Sequence, residues 1–376
     1  MEVTFITTVD HNVGDDFVRE GIKYLLKKVL SGTELHFQNI HKHSPITVRH
    51  GFEWFKNIKF SKFTFPSQKI DALLPLKLTK DKILEADLVI QSGAPVYWCH
   101  KEYDSHCADN EWYDVLIRRR FSKNKKAKLL NIAAGSCQEF NSNGEEFREC
   151  RKDSEYIKEF FSSSELTTVR DKLAQEILAS LGLNTQLIPC PSIFAVDEYG
   201  FKPGTKKFLV MNYMQTGGHY DFSKNIDSNK WFYELRKFYD CVKDKEDILF
   251  VCHNKREVLN AKKIDPQANI FYSKNFLDFM KVYRSAKYGI MNRVHGAFLM
   301  ASYGAPSFVV GNDSRARMAN EIGLESMFIN DVDSKILINK YEELKKSYSD
   351  FRKKFESIKE KAYNNYHTIL SKVLIN

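Results

Sequence analysis

Arg293 and His295 are the side chains whose types and spacing first suggest chemistry in this sequence. They lie in Tyr288-Gly-Ile-Met-Asn-Arg-Val-His-Gly-Ala-Phe-Leu-Met-Ala-Ser-Tyr-Gly-Ala-Pro306. This stretch reads as a short buried strand over Tyr288–Asn292, a sharp turn, and a small-residue helix that stops at Gly304. A guanidinium offers a fixed, bidentate charge for a carboxylate or phosphate. An imidazole titrates near neutrality and can deliver or accept a proton. Here both fall at the carboxyl end of a strand, beside the free amides of a helix N-terminus. Open α/β sheets bind ligands at such places, and the amides favour anions. The competing reading is an Arg and a His that merely cap and satisfy a buried turn.

The elements needed to position these groups can be followed along the chain. Val3–Thr8 reads as a strand, and a helix follows with Val18, Ile22, Leu25, Leu26 and Val29 on one face. Glu34–Ile40 is the next strand, so the chain opens with a βαβ unit and a parallel sheet is expected. The turn Asn12-Val-Gly14-Asp15 has one glycine and lacks the dinucleotide fingerprint. Asn12, Gly14 and Asp15 either cap the helix or face the crevice. Residues 41–78 are irregular and rich in His, Lys and Phe, including His43, His50 and Phe52-Glu-Trp-Phe-Lys56. They read as a variable insertion or as an aromatic, basic lid on which a sugar could stack. A helix is expected over Lys80–Ala86, then a strand Asp87–Gln91 that delivers Ser92 and Gly93. Helices are expected over Asn110–Phe121 and Asp153–Phe161, with a strand Lys128–Ala133 between them. Leu166–Val169 brings Arg170 and Asp171 to the start of a helix over Lys172–Leu181, and Thr185–Ile188 ends the series.

Residues 1–190 are thus assigned to an N-terminal Rossmann-like domain on the acceptor side, and 191–206, rich in Pro and Gly, to a linker. A second α/β series occupies 207–332, the donor side. Its strands are Phe208–Tyr213, Ile248–Cys252 ending in His253, Asn269–Tyr272, the central Arg293/His295 strand, Ser307–Val310 and Met327–Ile329. Helices are expected over Asn229–Val242, Phe276–Ala286 and from the polar turn with Arg315 and Arg317 to Ile322. Residues 333–376 form a Lys/Glu-rich helical tail, broken along its length and packing back across the domains. The fold class is α/β: two doubly wound Rossmann-like domains facing a cleft, GT-B-like, with a C-terminal helical tail.

Composition narrows the function. The 376 residues are 43% hydrophobic and 28% charged, with a net charge of +9 and a pI near 8.9. This balance suits anionic ligands, and a peripheral attachment to an acidic membrane is compatible with it. The basic cluster over Arg118–Lys128 ends a helix, and no nucleic-acid module accompanies it, so no nucleic-acid partner is expected. Seven cysteines without Cys-x-x-Cys fit a reducing cytoplasm. Cys99-His100 and His106-Cys107 lack standard ligand spacing, so no metal is expected. With neither an apolar leader nor a long apolar run, the chain is expected to be soluble and cytoplasmic, at most at the inner face of a membrane.

Taken together, Asn12-x-Gly14-Asp15, Ala86-Asp-Leu-Val-Ile-Gln-Ser-Gly93, Val169-Arg-Asp171, Asn292-Arg-Val-His295 with Pro306, and Arg315 before Glu321-Ile-Gly-Leu324 resemble the polysaccharide pyruvyl transferase family, over roughly Asn12 to Gly323. The resemblance implies transfer of the enolpyruvyl carbons of phosphoenolpyruvate to a glycan or lipid-linked sugar, closing a pyruvate ketal on a surface-polysaccharide precursor. Phosphoenolpyruvate would be a donor substrate, with no further cofactor and no metal. The resemblance assigns donor binding to Arg170, Arg293 and His295, with His295 as general acid/base. Asn12, Gly14, Asp15, Ser92, Gly93, His253, Asn292, Arg315 and Arg317 are the expected substrate-binding residues. His219 and His253 are expected to line the crevice. Two departures fall on the cleft side: Ser92-Gly93-Ala94 where the family often has consecutive glycines, and Pro189-Cys190-Pro191 where it tends to have Asp. A nucleotide-sugar glycosyltransferase on the same fold, or a catalytically inactive glycan-binding relative, are the alternatives.

Overall fold

The computed structural model describes residues 1–8, 12–42, 82–109, 112–113, 115–216 and 220–375. The expected lid with His43, His50 and Phe52–Lys56 lies outside the described residues, as does His219.

Two all-parallel sheets organise the chain. In the first, β1 (Glu2–Thr7), β2 (His36–His41), β3 (Leu88–Ser92), β4 (Lys128–Ser136), β5 (Leu166–Val169) and β6 (Gln186–Leu187) run in the order β2-β1-β3-β4-β5-β6. A short strand, Pro95–Tyr97, also pairs with β4. In the second, β7 (Phe208–Met211), β8 (Ile248–Cys252), β9 (Ile270–Tyr272), β10 (Ala286–Met291), β11 (Ser307–Gly311) and β12 (Glu325–Phe328) run β9-β8-β7-β10-β11-β12. The central strands are buried along their length, as strands covered by helices on both faces must be. Strand order reverses direction between β1 and β3 and between β7 and β10. A crevice opens at the carboxyl ends of strands at such points.

The longer helices among the described residues are α1 (Val13–Val29), α2 (Val115–Phe121), α3 (Arg151–Ser162), α4 (Lys172–Ser180), α5 (Ser228–Val242), α6 (Lys255–Ile264), α7 (Phe276–Tyr283), α8 (Val294–Ser302) and α9 (Ser334–Leu374). Helix α1 begins where Asn12 Oδ1 accepts from Gly14 N at 3.0 Å. Asp15 and Asp16 sit in its first turn and Lys27 and Lys28 in its last, complementing the helix dipole.

Several expectations change. The described part of the helix expected over Lys80–Ala86 is a run of turns, because Asn124 Nδ2 donates to the carbonyls of Ile83 and Ala86 at 2.7 and 2.8 Å. Helix α6 was not anticipated, nor was a two-residue antiparallel hairpin, Cys99–His100 with Ser105–His106. The segment expected as a linker is not a loose connector. Pro191–Phe194 and Ala195–Glu198 are short helical turns whose Ile193, Phe194, Ala195 and Val196 are buried. They press so closely on α1 that a Cβ on Gly21 would stand 1.8 Å from the Pro191 carbonyl oxygen. From the other side, Ser302 Oγ of α8 donates to the Ile193 carbonyl at 2.9 Å. The helices that open onto the crevice from each half are therefore braced on the same connector.

The tail is one unbroken helix of 41 residues, not a broken one. Its buried stripe runs through Leu337, Tyr341, Phe351, Phe355, Ala362, Tyr366 and Leu370. Near its start Tyr341 donates to Glu246 in the second half at 2.9 Å. Near its end Tyr366 donates to the Pro189 carbonyl at 3.1 Å, and Lys128 Nζ to the Val373 carbonyl at 2.5 Å. The helix clasps both halves. Among the described residues no helix is long and apolar enough to cross a membrane.

Candidate active site

A cavity of about 400 Å³ lies between the carboxyl ends of the two sheets. The first half contributes Thr8, Asn12, Gly14, Asp15, Lys42, Pro95, Trp98, Trp112, Cys137 and Arg170. The second contributes Met214, His253, Asn292, Arg293, Val294, His295, Asn312, Asp313, Arg315, Ala316 and Met318. Arg170, Arg293 and His295, taken from the sequence as the reactive set, therefore share one hollow.

Arg170 follows β5 and is only 2% exposed. Its Nη1 donates to the Gly93 carbonyl and stands 3.5 Å from His295 Nε2. Its Nε is buried without a hydrogen-bond partner, and no carboxylate pairs with it among the described residues. A buried guanidinium without a counter-ion is costly, so this position points to an anion supplied from outside.

The other cations are held differently. Arg293, at the N-cap of α8, donates from Nε and Nη2 to Glu257 Oε1, the former at 2.9 Å. Glu257 is buried at the start of α6, so Arg293 is fixed and half neutralised before any ligand arrives. Arg315 forms a two-pronged pair with Asp313, from Nε at 2.8 Å and Nη2 at 2.5 Å. Lys42 Nζ lies 4.4 Å from the centre of the Trp112 ring.

His295 lies on the first turn of α8 and reaches across to α1. A Cβ on Gly14 would stand 2.6 Å from its Nδ1, so only glycine leaves room for the ring there. Burial pushes the imidazole well below its ordinary pKa, and Arg170, Arg315, His253 and Arg293 push the same way. This corrects the expectation that His295 titrates near neutrality: without a bound anion it is a neutral base. The thiol of Cys190, in the departing Pro-Cys-Pro turn, lies 3.8 Å from His295 Nε2. His253 is also held well below its usual pKa, by burial and then by Arg293, and its Nε2 meets the Tyr283 hydroxyl at 2.9 Å. It lines the cavity as a fixed neutral ring.

The remaining expected binding residues divide. Asn12 lines the cavity while capping α1. Asp15 lines it while accepting from Thr8 Oγ1 at 2.5 Å. Asn292 has both ends of its amide committed, Oδ1 accepting from Met214 N at 3.0 Å and Nδ2 donating to the Val310 carbonyl at 2.8 Å. It ties strand ends together. Three expectations are corrected. Ser92 is fully buried beneath the cavity, its hydroxyl turned to the Ile6 carbonyl at 3.3 Å. Gly93 serves through its carbonyl, which holds Arg170, and does not line the wall. Arg317 points away, donating to the carbonyls of Phe140 and Ser142 at 3.3 and 2.7 Å. The sequence reading missed Glu257, Lys42, Trp98 and Trp112. Only Glu257 had a local signal: Asn254-Lys-Arg-Glu257 has the spacing of a helix N-terminal box, and Asn254 Oδ1 accepts from Glu257 N at 2.9 Å.

Two parallel-sheet domains with cationic and imidazole groups at their facing strand ends define a GT-B-type fold with a candidate site in its crevice. The model of the family described as polysaccharide pyruvyl transferase matches residues 12–314. The chain belongs to the polysaccharide pyruvyl transferase family. Among solved structures it is similar to the UDP-GlcNAc 2-epimerase from Neisseria meningitidis bound to UDP-GlcNAc, at 11% identity and TM-score 0.54, covering 100% of both chains. It is also similar to the UDP-GlcNAc 2-epimerase from Methanocaldococcus jannaschii in complex with UDP-GlcNAc and UDP, at 12% identity and TM-score 0.52, covering 96% of this chain and 100% of that one. At such identities these likenesses describe the fold. No curated protein matches the chain.

Proposed function

We propose that the cavity binds phosphoenolpyruvate and that the protein transfers its pyruvyl carbons to two hydroxyls of a glycan precursor, forming a ketal. The observation that carries this reading is Arg170, a buried guanidinium with no carboxylate partner among the described residues, 3.5 Å from His295. Phosphoenolpyruvate brings two anionic groups, which Arg170 and the free edges of Arg293 and Arg315 suit.

The neutral His295 accepts the proton of the first acceptor hydroxyl. The donor's negative charge, set against the surrounding arginines, raises the imidazole pKa and lets it hold that proton. The proton passes to C3 of the donor as the hydroxyl oxygen bonds to C2. The C2–O bond to phosphate then breaks, and the second hydroxyl oxygen takes its place, its proton leaving with inorganic phosphate. Membership of the family supports the pyruvyl donor, and the aromatic walls at Trp98 and Trp112 suit the apolar face of a sugar. If the acceptor is lipid-linked, the net charge of +9 suits work at the inner face of an anionic membrane.

The test is phosphate release from phosphoenolpyruvate on addition of glycan acceptors, with His295→Gln as the comparison. The reading requires release with wild type, and loss of turnover in the variant with donor binding largely kept. Unchanged turnover in His295→Gln removes the imidazole from the reaction. Activity with a nucleotide sugar, and none with phosphoenolpyruvate, replaces the reading altogether.

A further inference from the structure

Away from the cavity, Cys99, His106, Cys150 and Asp153 turn two thiols, an imidazole and a carboxylate toward one point, with their ligand atoms all within 4.8 Å of one another. We propose that these four side chains form a structural zinc site that fastens the hairpin beside the cavity wall to helix α3.

The group is built from two rigid pieces. Cys99 and His106 are cross-strand partners in the short hairpin. Cys150 is the N-cap of α3 and Asp153 lies three residues on, in its first turn. Asp153 Oδ2 stands 2.9 Å from both His106 Nδ1 and Cys150 Sγ, and Cys150 Sγ stands 3.5 Å from the same ring nitrogen. Tetrahedral zinc with bonds of about 2.0–2.3 Å would set its ligands roughly 3.3–3.8 Å apart. Opening the short contacts by several tenths of an ångström and drawing in the widest reaches that geometry.

A second observation concerns the atoms that face away from the centre. His106 Nε2 lies 3.5 Å from Asp104 Oδ1, and Asp153 Oδ1 accepts from Ala108 N at 3.0 Å. The other oxygen of the carboxylate is thus oriented from outside, the support that metal ligands characteristically receive, and the other nitrogen of the imidazole faces an exposed carboxylate. Asp153 is fully buried, and Cys99 and Cys150 are 3% and 6% exposed. Two sulfurs, one nitrogen and one oxygen in a compact, four-sided arrangement suit zinc. Four protein ligands leave no open position, so the role is structural. Binding displaces the two thiol protons to solvent, and the two thiolates with Asp153 leave a net charge of −1 on the loaded centre.

His100, next to Cys99 in the sequence, turns elsewhere, which is why adjacent Cys-His pairs in the sequence concealed the site. His100 Nε2 meets the Cys137 carbonyl at 2.7 Å. Cys99 directly follows Trp98, a cavity-lining residue, so the metal would steady that wall.

The test is metal content of untagged wild-type protein by mass spectrometry, followed by chelation and reloading with Co²⁺. One zinc per chain is expected, together with a tetrahedral cobalt spectrum bearing thiolate charge-transfer bands. Both should vanish in the Cys99→Ser/Cys150→Ser double variant and persist in Cys241→Ser, which alters an exposed cysteine. If the double variant does not fold, the wild-type cobalt spectrum and Asp153→Asn decide the matter. Folded wild type that takes up neither metal stoichiometrically overturns the proposal, as does a cobalt spectrum lacking thiolate bands or metal retained in the folded double variant.

Discussion

Replacing Arg170 by Met should separate ligand binding from stability. The substitution keeps much of the stem and removes the charge. In the unliganded protein the loss is the hydrogen bond to the Gly93 carbonyl and the longer contact with His295 Nε2, roughly 1.5–3 kcal/mol for bonding from a charged donor. The relief is the desolvation of a 2%-exposed guanidinium that has no carboxylate partner among the described residues, several kcal/mol by the usual cost of burying an ion. The balance favours an unliganded variant at least as stable as wild type. Donor binding should suffer in the opposite sense, because a buried charge-assisted pair is worth roughly 3–5 kcal/mol when one partner is removed. At about 1.4 kcal/mol per tenfold, affinity for phosphoenolpyruvate should fall by roughly two to three and a half orders of magnitude. Differential scanning calorimetry without ligand and titration calorimetry with phosphoenolpyruvate measure the two effects. A variant that melts well below wild type yet binds the donor normally would refute the reasoning and make Arg170 a structural residue.

Gly14→Ala should displace His295, since the new methyl would stand 2.6 Å from Nδ1. Turnover is expected to fall on the order of 100-fold, as for a misplacement of about 1 Å, with donor affinity mostly kept; steady-state kinetics beside calorimetry would show it. His295 and His253 are both held below their ordinary pKa by burial, so the unfolded chain binds protons that the folded chain refuses. Their contribution to stability is therefore present at neutral pH and declines as pH falls through about 6.5. Asp16, raised to about 6 chiefly by burial, acts in the opposite direction, so the histidine effect is read as the difference in melting temperature between wild type and His253→Gln across this range. Phosphoenolpyruvate binding below neutrality should take up a proton at His295, seen as a dependence of binding heat on buffer ionisation enthalpy. Tyr366→Phe removes the bond from α9 to the Pro189 carbonyl and should cost about 1 kcal/mol in denaturant unfolding.

The sheets were legible because parallel strands covered on both faces are apolar runs, and turns with Gly, Asn and Asp punctuate them. The same rule put Arg170 and Arg293/His295 at strand ends, and sheet topology brings those ends together. Charge balance at the site was not legible. Glu257 lies 36 residues before Arg293 and holds it, while Arg317 turns to two carbonyls in the other half although Arg315, two residues earlier, lines the cavity. Neither relation has a local pattern. The depressed pKa of His295 likewise depends on burial and on cations contributed by both halves. The hairpin over Cys99–His106 escaped notice because its strands are two residues long, too short for alternation to register. The metal-ligand cluster escaped with it, its second pair being supplied by α3.

The most direct measurement is titration calorimetry of the wild-type protein against phosphoenolpyruvate, UDP and a UDP-sugar. Saturable binding of phosphoenolpyruvate at one site per chain is expected, weakened by at least about two orders of magnitude in Arg170→Met. Binding of the nucleotide ligands with no heat from phosphoenolpyruvate would contradict it.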